Sequence, residues 1–68
     1  MPTASLTVIV EIVADEDGRW LVRLFKNTYG EYADRRLARA DGLEAARNVK
    51  QLGYDVEVWD RSTGEQLL

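Results

Sequence analysis

The stretch Leu6-Thr7-Val8-Ile9-Val10-Glu11-Ile12-Val13 limits the fold more than any other. Six of its eight residues are β-branched, and such side chains are stiff at χ1 and suit a pleated surface. Successive side chains in a strand point to opposite faces. Leu6, Val8, Val10 and Ile12 therefore share one wholly apolar face, and Thr7, Ile9, Glu11 and Val13 share the other. A strand that is apolar on both sides belongs inside a sheet, with material on each face. A central strand is predicted from about Ser5 to Ala14.

Its neighbour follows from the turn signal. Asp15-Glu16-Asp17-Gly18 ends in Asp-Gly, which favours a tight hairpin. Strand two then covers Arg19 to Lys26. A hairpin centred on Glu16 sets Ile12 opposite Trp20, Val10 opposite Val22 and Val8 opposite Leu24. All six are apolar, so this parity is self-consistent. It places Glu11 and Arg23 within cross-strand reach.

Asn27-Thr28-Tyr29-Gly30 reads as a second turn. Tyr32 to Ala38 reads as a short, charged edge strand, since charge on an edge resists unwanted pairing; the competing reading starts a helix with Asp34 as its cap. The helix itself is predicted from about residue 42 to 52. Asp41 is its N-cap, and Glu44 three residues on reaches back in a variant of the capping box. Ala45, Ala46, Val49 and Leu52 lie on one arc, with Leu43 at its edge. Leu37 falls on the polar side, which argues against one helix from Asp34 to Leu52. Gly53 stands where a left-handed residue closes a helix.

A last long strand is expected over Tyr54–Asp60, with Tyr54, Val56 and Val58 on one face and Trp59 on the other. After Ser62-Thr63-Gly64 the end of the chain folds back as a short strand. The expected class is α+β: a small antiparallel-dominated sheet in the order ββ(β)αβ with one helix on one face, in a single domain over residues 1–68. The expected core is Leu6, Val8, Val10, Ile12, Trp20, Val22, Leu24, Leu43, Ala46, Val49, Leu52, Val56 and Val58.

Composition narrows the function. A chain of 68 residues buries only about 60% of its unfolded surface, so small domains lean on disulfides, metals or oligomers. There is no cysteine and no histidine. That removes disulfides, thiolate metal sites and the commonest general base. No cofactor and no metal are expected. Matching Gly18 to the glycine of a calcium loop puts Val13 and Leu24 at ligand positions, where neither can ligate. No nucleophile has a histidine beside it and no glycine-rich phosphate loop is present, so an enzyme is not expected. The net charge of −3 argues against a nucleic-acid partner, although Arg35, Arg36 and Arg39 beside Tyr29 and Tyr32 could meet an anion or a nucleic acid. The longest apolar run is too short to cross a bilayer. The first residues do not read as a secretory signal, so a cytosolic location is the default.

The sheet face away from the helix carries the functional expectation. Ile9, Val13, Leu21, Phe25 and Trp59 all point there, and large contiguous apolar patches mark interfaces. The reading is a small non-enzymatic interaction domain, self-associating as a homodimer through this face. The competing structural reading folds Glu31 to Ala40 over it, with Tyr29, Tyr32 and Leu37 as the plug. Two further functions stand beside the first. One is an inhibitor or decoy of a host protein from a phage or mobile element, the class that includes anti-CRISPR proteins, on size and charge alone. The other is a nucleic-acid-binding accessory domain using Arg35, Arg36 and Arg39.

Overall fold

The β-branched stretch forms a strand over Thr7–Ala14 (β1), in a computed structural model that describes residues 7–25 and 27–68. It is followed by Trp20–Leu24 (β2), Asn27–Tyr32 (β3), a helix over Arg35–Gln51 (α1), Asp55–Asp60 (β4) and Glu65–Gln66 (β5). The strands form one sheet in the order β3-β2-β1-β4-β5, with β1 at its centre. All neighbours are antiparallel except β1 and β4, which run parallel with Val8 opposite Val56 and Val10 opposite Val58. The fold is α+β, with α1 packed on one face of a mostly antiparallel mixed sheet.

The predicted parity of the first hairpin holds, but its register is shifted by two residues. Val10 lies opposite Leu24, Ile12 opposite Val22 and Ala14 opposite Trp20. The cause is the loop. Asp15 N–H donates to the Arg19 carbonyl at 2.7 Å, and Gly18 N–H donates to the Asp15 carbonyl at 3.1 Å. Gly18 has φ +80°. This is a turn closed by a left-handed glycine, one residue longer than a two-residue Asp-Gly turn. Asp15 and Arg19 close a loop of residues 16–18, which centres on Asp17 where a hairpin centred on Glu16 was expected, so each pair moves by two.

Asn27–Gly30 is strand, not turn. Leu24 pairs with Asn27, so the chain reverses between them, starting at Phe25 with φ +52°. Strand two thus ends at Leu24, and Lys26 lies outside the described residues. The sheet edge on this side is β3, not residues 32–38. Between Val22 and Arg23 its register slips past Tyr29, a bulge that interrupts the edge.

The helix begins seven residues before the predicted start. Asp34, not Asp41, is its cap: the Asp34 carboxylate accepts from Arg36 N–H at 2.8 Å. Leu37 does face solvent, as its place on the helical wheel requires, and the helix runs through it. What holds the extra turns is a stripe of small residues, Ala38, Gly42, Ala45 and Ala46, all buried. They let the helix axis approach the sheet closely, so packing outweighs the cost of one exposed leucine. Gly53, at φ +98°, ends the helix as expected, its N–H donating to the Lys50 carbonyl.

The core consists of Val10, Ile12, Val22, Ala38, Ala46 and Val58, with Trp20, Leu24, Tyr32, Leu43, Val56 and Leu67 packed against it. Val8 is buried beside them, and Val49 is half-buried. Leu52 is the error in the predicted core: it caps the helix and is 76% exposed. Leu6 lies outside the described residues.

Candidate functional site

Three places combine unusual chemistry with a defined position. The first lies where the start of α1 meets the end of β4. Register places Asp60 on the helix side, two residues beyond Val58, and it is completely buried. Its Oδ2 accepts from Arg35 Nε at 2.9 Å and lies 3.5 Å from Arg39 Nε. Its Oδ1 accepts from the Ser62 amide at 3.0 Å and the Ser62 hydroxyl at 2.6 Å. Burial pushes the carboxyl pKa up, but the donors from Ser62 and Arg35 outweigh it and hold the group below its ordinary value. Arg39 also holds Glu65 at 2.8 Å. Arg35 stacks over Trp20 at 5.8 Å.

This arrangement explains what the three arginines singled out from the sequence do. Arg35 and Arg39 point at carboxylates of the same chain and clasp the helix to the β4–β5 turn. Arg36 is exposed and contributes its backbone N–H to the helix cap. The three do line a common shallow hollow with Asp34, but two of them are already neutralised there.

The second place is the sheet face opposite α1. Val13 pairs with Leu21, and Ile9 and Trp59 alternate with the buried Val10 and Val58. These four of the predicted interface residues share the open face. Phe25 sits beyond the end of β2, in the turn, and borders this face beside Ile9. Residues 31–40 do not cover the face. Tyr32 packs against the helix-side core, and residues 35–40 belong to α1 on the other side of the sheet. Polar groups organise the surface around Trp59. Its indole N–H donates to Glu57 at 2.8 Å, Arg61 lies over the ring at 5.2 Å, and Arg61 in turn pairs with Glu11 at 2.7 Å. Glu11, expected within cross-strand reach of Arg23, lies directly opposite it in the ladder because of the two-residue shift in register.

The third place was not read from the sequence. At the end of the sheet where β1 and β4 begin, Val8, Phe25, Val49, Leu52 and Tyr54 line an apolar groove of about 180 Å³. Phe25 also borders a hollow with Thr7, Ile9 and Glu11, so it bridges the groove and the open face. The signal was present in Leu52, Gly53 and Tyr54, where apolar residues flank a helix stop. It reads as ordinary capping until β4 is known to start beside β1.

Near the opposite end Tyr32 hydrogen-bonds Asp41, the residue that sequence reading made a helix cap. That bond, burial and the Asp41 charge push the phenol pKa up to about 12. Among the described residues no group of three carboxylates or other donors is placed to hold a metal ion, and no helix is long and apolar enough to cross a membrane. No family model, curated protein or solved structure matches this chain.

Proposed function

We propose that this chain is a non-enzymatic protein-interaction domain that self-associates through the sheet face opposite α1. The observation that carries the reading is the absence, among the described residues, of any element over Ile9, Val13, Leu21 and Trp59. Glu11, Arg23, Glu57 and Arg61 surround these side chains with both signs of charge. An apolar centre with a mixed polar rim is the anatomy of an interface. Both signs on one patch also suit a twofold contact, in which the same surface must complement itself. A standard interface covers about 800 Å² per partner, a modest share of the 4852 Å² exposed here.

Sedimentation equilibrium over a range of concentrations tests this. The parent should move from monomer to dimer as concentration rises. Leu21→Glu places a charge opposite Val13 and should remain monomeric with the fold unchanged by circular dichroism. A parent that is monomeric at every concentration overturns the reading.

A further inference from the structure

We infer that two copies of this chain pack open face to open face with their β1 strands antiparallel, so that Glu57 of each meets Arg61 of its partner. The inference rests on the self-association proposed above and adds the arrangement of the two copies.

The register orders the open face into rows. In one row Ile9 stands beside Glu57 and, past the end of β2, beside Phe25. In the next, Glu11 stands between Trp59 and Arg23. In the third, Val13 stands beside Leu21. Arg61 joins this third row from the end of β4, its backbone N–H donating to the Ile12 carbonyl at 2.9 Å. A twofold contact sets the same surface against itself. Stacked sheets keep their strands within about 30° of each other. The twofold axis therefore lies between the two faces and runs either roughly along the strands or roughly across them.

The two choices bring different side chains together. An axis along β1 leaves each row facing itself and sets β2 over the partner's β4. Leu21 then faces Arg61, Phe25 faces Glu57, and Ile9 faces its own counterpart. That buries both charges against apolar groups, which is costly. An axis across the strands at the Glu11 row keeps β1 over β1 and exchanges the outer rows. Ile9 then faces Val13, Phe25 faces Leu21, and Glu57 faces Arg61. Apolar side chains meet apolar ones, and the charged pair is of opposite sign.

Both members of that pair keep capacity for it. Glu57 accepts from the Trp59 indole, and Arg61 binds Glu11 through Nε. A carboxylate has two acceptor oxygens and a guanidinium five donors. On the axis row Trp59 stacks on its own counterpart, an aromatic contact. Glu11 and Arg23 lie side by side there, so each has the opposite sign diagonally across the interface.

The test has two arms. Glu57→Arg and Arg61→Glu each set like charges against each other at both ends of the interface. Each should weaken the dimer by about tenfold or more in sedimentation equilibrium. Mixed in equal amounts, the two variants should recover most of that affinity, because a hetero-pair joins opposite signs at both ends. The second arm uses the parent chain and so does not depend on either variant keeping its fold. A mixture of isotope-labelled and unlabelled parent should give intermolecular NOE contacts between Ile9 and Val13 methyl groups, which stand ~13 Å apart within one strand. A dimeric parent whose NOE contacts join Ile9 to Ile9, or two folded variants that gain nothing on mixing, overturns the arrangement and leaves the self-association standing. A parent that is monomeric at every concentration overturns both.

Discussion

Each face of the sheet carries an arginine–carboxylate network beside a tryptophan, and the two differ in almost everything except composition. On the helix side, Asp60 is completely buried, accepts from Ser62 and Arg35 with Arg39 as a second ion-pair partner, and joins segments 25 residues apart in sequence. On the open side, Glu11 and Arg61 make a shorter contact, 2.7 Å against 2.9 Å, but both remain partly exposed. Distance alone would rank the second pair higher. Burial reverses the order, because water screens an exposed pair and a desolvated carboxylate depends wholly on its donors. The same residue types thus work as a clasp on one face and as a surface rim on the other.

The sharpest way to break this contrast is to truncate matching isoleucines. Ile12 is fully buried under α1, and Ile9 is 38% exposed on the open face. Ile12→Ala should destabilise by about 3 kcal/mol or more, with Ile9→Ala below about 1 kcal/mol. Equal denaturant midpoints for the two variants would contradict the assignment of the covered face.

Next comes the clasp. Asp60→Ala should cost about 2–3 kcal/mol, since it strands the Ser62 donors and releases Arg35 and Arg39. The carboxyl is held below its ordinary value of 3.8, so its contribution is complete above that pH and is lost as pH falls through the folded value. Asp60→Asn should flatten the acid limb of a stability–pH curve. Tyr32 acts at the other extreme: its phenol is raised from 10.0 to about 12, so that contribution is complete below pH 10.0 and lost as pH rises through about 12. Tyr32→Phe should flatten the alkaline limb.

Gly42 sharpens the comparison from within the covered face. An added Cβ would meet Ile12 Cδ1 at 3.4 Å and Val10 Cγ1 at 3.6 Å, which is ordinary contact. Gly42→Ala should stabilise by up to about 1 kcal/mol through helix propensity, whereas Gly42→Leu should destabilise by overfilling the site. Thermal melts of the two variants report the sign. The smallest effect belongs to the open face: Glu11→Gln should change stability by less than about 1 kcal/mol, and the change should shrink as salt is added.

Alternation made the strands legible. Val8, Val10 and Ile12 against Val22 and Leu24 fixed which side chains share a face, and a shift of two residues leaves that unchanged. The register itself depends on one backbone angle at Gly18, which no periodicity reports. The helix start was hidden because its packing surface is Ala38, Gly42, Ala45 and Ala46. Small residues bury closely but give a weak apolar signal, and the exposed Leu37 gave a misleading one. Asp60 stood in plain view: it continues the alternation of Val56 and Val58 on the buried side. Its partners, Arg35 and Arg39, were one helical turn apart, but only if the helix began at Asp34. Misplacing the start therefore also hid the clasp. Phe25 was read as a strand residue because the strand was extended through the turn.

The parallel pairing of β1 with β4 has a consequence for how the chain is assembled. Thr7 lies opposite Asp55 and Ile12 opposite Asp60, so the two inner strands are contributed by distant parts of the polypeptide. The meander and the helix can assemble from nearby segments, and the seam between the halves closes last. A chain cut after Leu52 keeps β1 with one whole flank unsatisfied, a template waiting for its missing strand. Supplying residues 53–68 as a separate peptide should restore circular dichroism and cooperative melting to residues 1–52. If the longer fragment melts as cooperatively alone as with the peptide, the seam is not where the fold is completed.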